Sequence, residues 1–304
     1  MEVKVSAIIT TYKRDRIFLE RAIKSVLNQT YKNIELLIVD DNGTDSSYSD
    51  IVQSLVDQYS DKLEIKYLLH EINAGAQKAR NTGIKNAAGM YIAFLDDDDA
   101  WLEAKIEKQL KIFEKSKSVN LGLVYCWYNV LTEQKDGEVL TEVHELPVYP
   151  KNQVLKELLR KNYIASTSFP LIKKECFDLV GNFDEALEAS QDYDMWVRIA
   201  QSYEVDCAQE PLAEYYKHVG ERITNNPAKK ARAEKMFLEK YYKEIKKDKK
   251  ALNDKNKKVG IYLMRSGNGI KARKCFKNVL KHEPTNIRIY KYIIESFILE
   301  RKLK

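Results

Sequence analysis

A chain of 304 residues is long enough for one large α/β domain with a small appendage. Apolar residues make up 44% and charged residues 32%, which argues against a mainly disordered chain. The net charge of +6 conceals a division: residues 226–304 hold 24 Lys and Arg against 8 Asp and Glu, so an acidic body near −10 carries a basic tail near +16.

In chain order, Val3–Thr10 reads as a buried strand, and Phe18–Gln29 as a helix with Leu19, Ala22, Ile23, Val26 and Leu27 on one face. Ile34–Val39 is a second strand, stopped by the turn cluster Asp40-Asp41-Asn42-Gly43. A helix over 49–59, a strand over 63–69, a helix over 74–86 and a strand over 90–95 follow. This alternation predicts a mostly parallel sheet with helices on both faces. The pattern then becomes mixed: a helix over 102–115, a strand over 121–130, a polar turn over 132–137, a helix within 147–159, a strand over 166–173 and a helix over 192–200. From Pro227 the chain is Lys-rich and helical, broken at Gly267-Asn268-Gly269 and at Pro284 into about three amphipathic helices.

Cys126, Cys176, Cys207 and Cys275 form no close pair and lack zinc-ligand spacing to a histidine, which argues against disulfides and structural zinc. No window approaches the roughly 20 apolar residues that span a bilayer, and the N-terminus has no signal-peptide layout. The expectation is a soluble, cytoplasmic protein, peripheral at most to the inner face of the cell membrane.

Ligands of parallel α/β sheets bind outside the carboxyl ends of the strands. Three polar clusters fall there: Thr10-Thr11-Tyr12, Asp40-Asp41 and Asp96-Asp97-Asp98-Asp99. Four adjacent aspartates repel one another unless solvent or a cation neutralises them. Mg2+ and Mn2+ accept oxygen ligands and share their shell with phosphates. A solvated turn with an Asp helix cap is the plainer alternative for such a run.

The pieces A-I-I-T-T-Y-K-R (7–14), S-V-L-N-Q-T-Y-K-N-I-E-L-L-I-V-D-D-N-G-T-D (25–45), N-A-G-A-Q-K-A-R-N-T-G-I (73–84) and G-M-Y-I-A-F-L-D-D-D-D-A-W (89–101) resemble, in order and spacing, a family 2 glycosyltransferase of the GT-A fold. F-D-L-V-G-N-F-D-E (177–185) and Q-D-Y-D-M-W-V-R-I (191–199) extend the likeness to about 220 residues. The resemblance implies a Rossmann-like catalytic domain over 1–225, with a nucleotide-sugar half (1–101) and an acceptor half (102–225), and a basic helical extension over 226–304 that is tetratricopeptide-like in part. It implies an inverting, metal-dependent hexosyltransferase of bacterial polysaccharide or capsule synthesis. Such an enzyme takes a UDP-sugar, with Mn2+ or Mg2+, to a saccharide or lipid-linked acceptor. Residue by residue, Thr10, Tyr12, Arg14, Asp40, Arg80, Asp96, Asp97 and His218 would contact the nucleotide-sugar. Asp98 and His218 would hold the metal, and Arg222 could clamp the diphosphate. Asp192 would be the catalytic base, although Gln191 stands where the family usually has Glu.

By residue pattern alone, Asp192 and Asp194 point to different sides of a helix, so only one can face a cleft; the plainer alternative is an acid favoured by the helix dipole for Asp192 and a structural or acceptor-orienting residue for Asp194. A sugar nucleotidyltransferase would want a Gly-rich loop after the first strand, which Thr10–Arg14 lacks. A non-catalytic scaffold that binds nucleotide-sugar or glycan is the other reading. The tail suggests attraction to an anionic membrane. No motif or aromatic-basic platform points to nucleic acid.

Overall fold

The computed structural model describes residues 3–134, 138–217 and 226–302. Strand β1 (Val5–Thr11), helix α1 (Arg16–Leu27), β2 (Ile34–Asp40), α2 (Ser47–Tyr59), β3 (Glu64–Leu69), α3 (Ala76–Asn86) and β4 (Tyr91–Asp96) alternate as the apolar pattern predicts. β1 lies between β2 and β4, β3 pairs with β2, and all three pairings are parallel. Strands covered on both faces need apolar side chains throughout, and every residue of β2 is buried. Its one charged member before the strand end, Glu35, accepts hydrogen bonds from Ser6 Oγ (2.5 Å) and Ala88 N (2.6 Å). At Gly83 a Cβ would stand 2.5 Å from Ile8 Cγ2, so the missing side chain lets α3 lie close against β1.

The second half of the sheet is mixed. It holds β5 (Ala100–Trp101), α4 (Lys105–Lys115), β6 (Leu121–Glu133), β7 (Val139–His144), α5 (Lys151–Arg160), β8 (Leu171–Lys173), α6 (Glu175–Val180), α7 (Gln191–Ser202) and β9 (Glu204–Lys217). β8 is antiparallel to both β4 and β6, β6 runs parallel to β9, and β9 is antiparallel to β5. The strand order is β3-β2-β1-β4-β8-β6-β9-β5, with β7 on β6. The α/β class and the helical C-terminal region agree with the sequence. The strand expected over 166–173 shrinks to 171–173, because 166–169 form a turn entered through Ala165 at φ +67°. The polar turn expected from 132 starts later, since β6 runs on to Glu133 and pairs with β7.

The C-terminal helices are α8 (Pro227–Lys240), α9 (Tyr242–Ile245), α10 (Lys249–Arg265), α11 (Gly269–Leu280) and α12 (Ile287–Lys302). Their starts carry the expected signals. The Asn226 side chain caps α8, with Pro227 in its first turn. Asp248 caps α10 and Asn268 caps α11. Met264, Ala272, Phe276, Val279 and Ile289 form a core of their own there. A Cβ at Gly260 would stand 2.6 Å from the Phe276 ring, so α10 and α11 touch through glycine.

The chain forms two compact units. The first holds the sheet and its helices, apart from two short segments, up to the end of β9. The second gathers the helices from residue 226 with those segments, Leu155–Asn162 and Ala186–Asp194. The first turn of α7 thus belongs with the C-terminal helices, a grouping that the linear charge division does not reveal.

Candidate active site

In the first unit, strand register brings the polar clusters together. Thr10 is level with Asp96 across β1 and β4, and Thr11 is level with Asp40 across β1 and β2. The acidic run alternates. Asp97 and Asp99 are buried, whereas the side chains of Asp96 and Asp98 keep 32% and 30% of their surface. Asp96 accepts hydrogen bonds from Arg80 Nη2 (3.0 Å), Thr167 Oγ1 (2.9 Å) and Ser166 Oγ (3.1 Å). Arg14 spans the next two members, with Nε 2.8 Å from Asp97 Oδ1 and Nη2 3.2 Å from Asp98 Oδ2. Ser168 Oγ donates to Asp99 Oδ2 at 2.7 Å, and Asp99 Oδ1 has no hydrogen-bond partner among the described residues.

These surroundings set the charge. Burial pushes the Asp97 carboxyl up to about 7 against the pull of Arg14. Burial, reinforced by the charges of Asp96 and Asp98, holds the Asp99 carboxyl well above its ordinary range. A run of four aspartates therefore presents two outward carboxylates backed by two acids that resist ionising. Arg21 adds a cation by donating to the Asp98 backbone oxygen, while its guanidinium lies 3.3 Å from the Tyr216 ring centroid.

The neighbouring strand end is tightly bonded. Asp40 is fully buried, and it accepts hydrogen bonds from Asn42 N (2.9 Å), Asn42 Nδ2 (2.7 Å) and Tyr67 OH (2.8 Å). Burial, then that bond, raises the Tyr67 hydroxyl above its usual range. Asp41 takes His70 Nδ1 (2.7 Å), Asn73 Nδ2 (2.9 Å) and the backbone N–H groups of Ala74 and Gly75 (2.8 Å each), which fixes the loop leading into α3. On that helix Arg80 is buried. Its Nη1 has no hydrogen-bond partner among the described residues and its guanidinium lies 5.7 Å from the Phe183 ring centroid. Tyr12 is exposed, beside Lys13, which sits at φ +48°. The other non-glycine residues with positive φ among the described residues, Ala165 and Ser190, precede Ser166 and α7, so each strained residue lies beside a candidate segment.

In the second unit, half-buried Asp192 accepts a hydrogen bond from Asn162 Nδ2 at 3.1 Å. Asp194, two residues on, is fully buried and pairs with Lys240 Nζ (2.7 Å) and Tyr241 OH (2.7 Å). Tyr193 stacks on Phe237 at 4.2 Å, and its hydroxyl accepts from buried Lys255 Nζ at 2.8 Å. Helices α8 and α10 thus clamp the turn that carries Asp192. His218 and Arg222 lie outside the described residues.

Sequence reasoning missed Ser166, Thr167 and Ser168, which read as the start of an apolar strand, and Arg21, which lies within a regular amphipathic helix. It also left His70 without a role. The hydroxyl triplet directly before the apolar run was the available signal.

A model of glycosyl transferase family 2 matches residues 6–180. The chain belongs to glycosyl transferase family 2. It is 32% identical over 239 residues to an uncharacterized glycosyltransferase of Methanocaldococcus jannaschii, covering 78% of this chain and 77% of the relative. It is 34% identical over 232 residues to a protein of Escherichia coli K12 named for colanic acid biosynthesis as a glycosyl transferase, covering 74% and 77%. Among solved structures, Staphylococcus aureus TarS 1–349 in complex with UDP-GlcNAc superposes over 99% of this chain and 91% of its own, with TM-score 0.61 and 16% identity. A longer TarS chain is matched over 54% of its length, with TM-score 0.60. These likenesses fix the fold as GT-A.

A divalent cation in this family 2 fold must find its ligands among the residues present. No group of three or more His, Cys, Asp or Glu among the described residues is arranged to hold a metal ion. Asp98 nevertheless fits one end of an open site: a hard oxygen donor, part-exposed, with Arg14 as its paired cation. Mg2+ and Mn2+ sites often use one or two carboxylates and take the remaining ligands from phosphate and water.

Proposed function

We propose that the protein is an inverting, metal-dependent glycosyltransferase that moves a hexose from a UDP-sugar to a saccharide or lipid-linked saccharide in bacterial surface polysaccharide synthesis. The observation that carries this reading is the acidic run with two part-exposed and two buried members, level with Thr10 in an α/β sheet and paired with Arg14 and Arg80. TarS binding of UDP-GlcNAc and the colanic acid name of the Escherichia coli relative support the donor and pathway class.

In this reading Tyr12 stacks on the base, and Thr10 lines the pocket. Asp40 accepts a hydrogen bond from the base. Arg80 reaches the base or phosphates, Asp96 touches the ribose or sugar, and Asp97 supports Arg14, whose guanidinium meets the diphosphate. Asp98 would ligate the cation, which when bound supplies charge relief to the departing diphosphate. Asp192 accepts the acceptor hydroxyl proton as that oxygen attacks the anomeric carbon, and the opposite-face displacement inverts the centre. Charge supports a peripheral membrane position: the +16 segment would hold the enzyme at the inner face of a membrane, within reach of a lipid-linked acceptor.

The test is a screen of UDP-sugars with Mn2+, scored by UDP release. Wild type should turn over at least one donor. Asp98→Ala should lose about 10²-fold or more, and Asp192→Asn about 10²- to 10⁴-fold with donor binding kept. Full activity in Asp98→Ala would refute the metal ligand, and undiminished transfer in Asp192→Asn would refute the base. Donor binding without any release would leave a binding scaffold instead.

A further inference from the structure

Helix α12 is apolar on two faces. Ile289, Tyr292, Ile293 and Leu299 meet the helical core around Phe276. The same helix also carries Ile287, Tyr290, Ile294, Phe297 and Ile298, each between 46% and 82% exposed. At 100° per residue these five fall within an arc of about 100°, in a stripe roughly 17 Å long. An ordinary surface helix shows one apolar face and a polar one, so the second stripe asks for a cover.

Its surroundings select the cover. Arg288 and Lys291 are exposed on the same helix, Lys291 loosely paired with Glu295 at 3.9 Å, while Arg273, 3.9 Å from the Phe297 ring centroid, is already matched by Glu300 at 2.9 Å. Residues 226–304 carry 24 basic against 8 acidic side chains. Two copies meeting stripe to stripe would bring two such segments together, whereas an anionic lipid surface supplies the opposite charge. Exposed aliphatic and aromatic residues beside lysine and arginine form the pattern of a helix lying in the plane of a bilayer interface. We propose that the α12 stripe is a membrane-contact surface: Ile287, Tyr290, Ile294, Phe297 and Ile298 enter the headgroup region of an anionic bilayer while the exposed Arg288 and Lys291 hold its phosphates. This deepens the peripheral-membrane part of the proposed function and rests on it, but it is independent of the donor chemistry.

The full chain is tested by co-sedimentation with phosphatidylcholine vesicles holding 30% phosphatidylglycerol and with phosphatidylcholine alone. Wild type should bind the anionic vesicles. The triple variant Ile287→Ser, Ile294→Ser, Ile298→Ser should partition about tenfold more weakly or worse with an unchanged melting temperature, since all three positions are exposed. Independently, the indole introduced by Ile294→Trp should shift its emission to the blue on anionic vesicles and be quenched by brominated lipid. Equal binding of the triple variant, with no spectral shift, would overturn the stripe and leave a purely electrostatic attraction. No vesicle binding by wild type would overturn both the stripe and the membrane reading. A wild-type dimer that the triple variant converts to monomer, with no vesicle binding, would give the stripe to a second copy.

Discussion

Two buried acidic sites in this protein are built in opposite ways. Asp194 is fully buried but meets a lysine and a tyrosine, so its charge is matched and it stitches α7 to α8. Asp97 and Asp99 are buried as well, yet Asp97 shares Arg14 with Asp98 and Asp99 is met by the Ser168 hydroxyl, and burial raises both carboxyls above their ordinary range. A matched buried carboxylate fastens structure. An undermatched one, next to two part-exposed carboxylates, is left with a raised affinity for its proton, and a bound cation would lower that affinity. Proteins keep such costly sites mainly where function uses them.

The contrast can be broken by substitution. Asp194→Ala leaves the buried Tyr241 hydroxyl without its carboxylate acceptor, while part-exposed Lys240 can turn to water, and should cost about 2 kcal/mol, read as a lowered urea midpoint. An unchanged midpoint would remove Asp194 from the fastening role. The acidic run should behave in the reverse sense. The Asp97 carboxyl moves from an ordinary 3.8 when unfolded to about 7 when folded, so the folded chain holds the extra proton between those values. Stability should therefore fall as pH rises from about 4 to 7 and level off above, with Asp99 acting in the same direction. In EDTA the melting temperature should drop between about pH 4 and 7, and Asp97→Asn should remove much of that drop. A flat wild-type profile would contradict it. The smallest effect concerns Arg14, which holds the Asp97 carboxyl down. Arg14→Met should carry the fall in stability upward by about one pH unit, visible in the same melting series, and an unmoved profile would show that Arg14 does not set the charge of the run.

The parallel half of the fold was legible because its strands are unbroken apolar runs that end in polar residues, and the register confirms Thr10 beside Asp96 and Thr11 beside Asp40. Strand β9 was hidden. Its sequence alternates charges, and Pro211 interrupts it, which ordinarily argues against an inner strand. The chain absorbs that proline where Pro211 faces Trp127, at register shifts on either side of the tryptophan. Strand β7 was hidden for another reason: all six of its residues are exposed, so burial imprints no apolar period on it. In the site, the aspartates could be read from their strand end. Their division into buried and outward members could not, because Ser166, Thr167 and Ser168 approach from about 70 positions further along the chain. The anchoring of α7 by Lys240, Tyr241 and Lys255 was equally invisible, since these look like ordinary members of a basic tail.

The turn that carries the acidic run also constrains how this segment can change. Asp97 and Asp98 occupy a tight turn closed by the Asp99 N–H, which donates to the Asp96 carbonyl oxygen at 3.0 Å. Replacing a member keeps that closure. Removing or adding a residue between Leu95 and Ala100 would break it and displace the two part-exposed acids from the two buried ones. Substitutions here should consequently be tolerated better than changes of length.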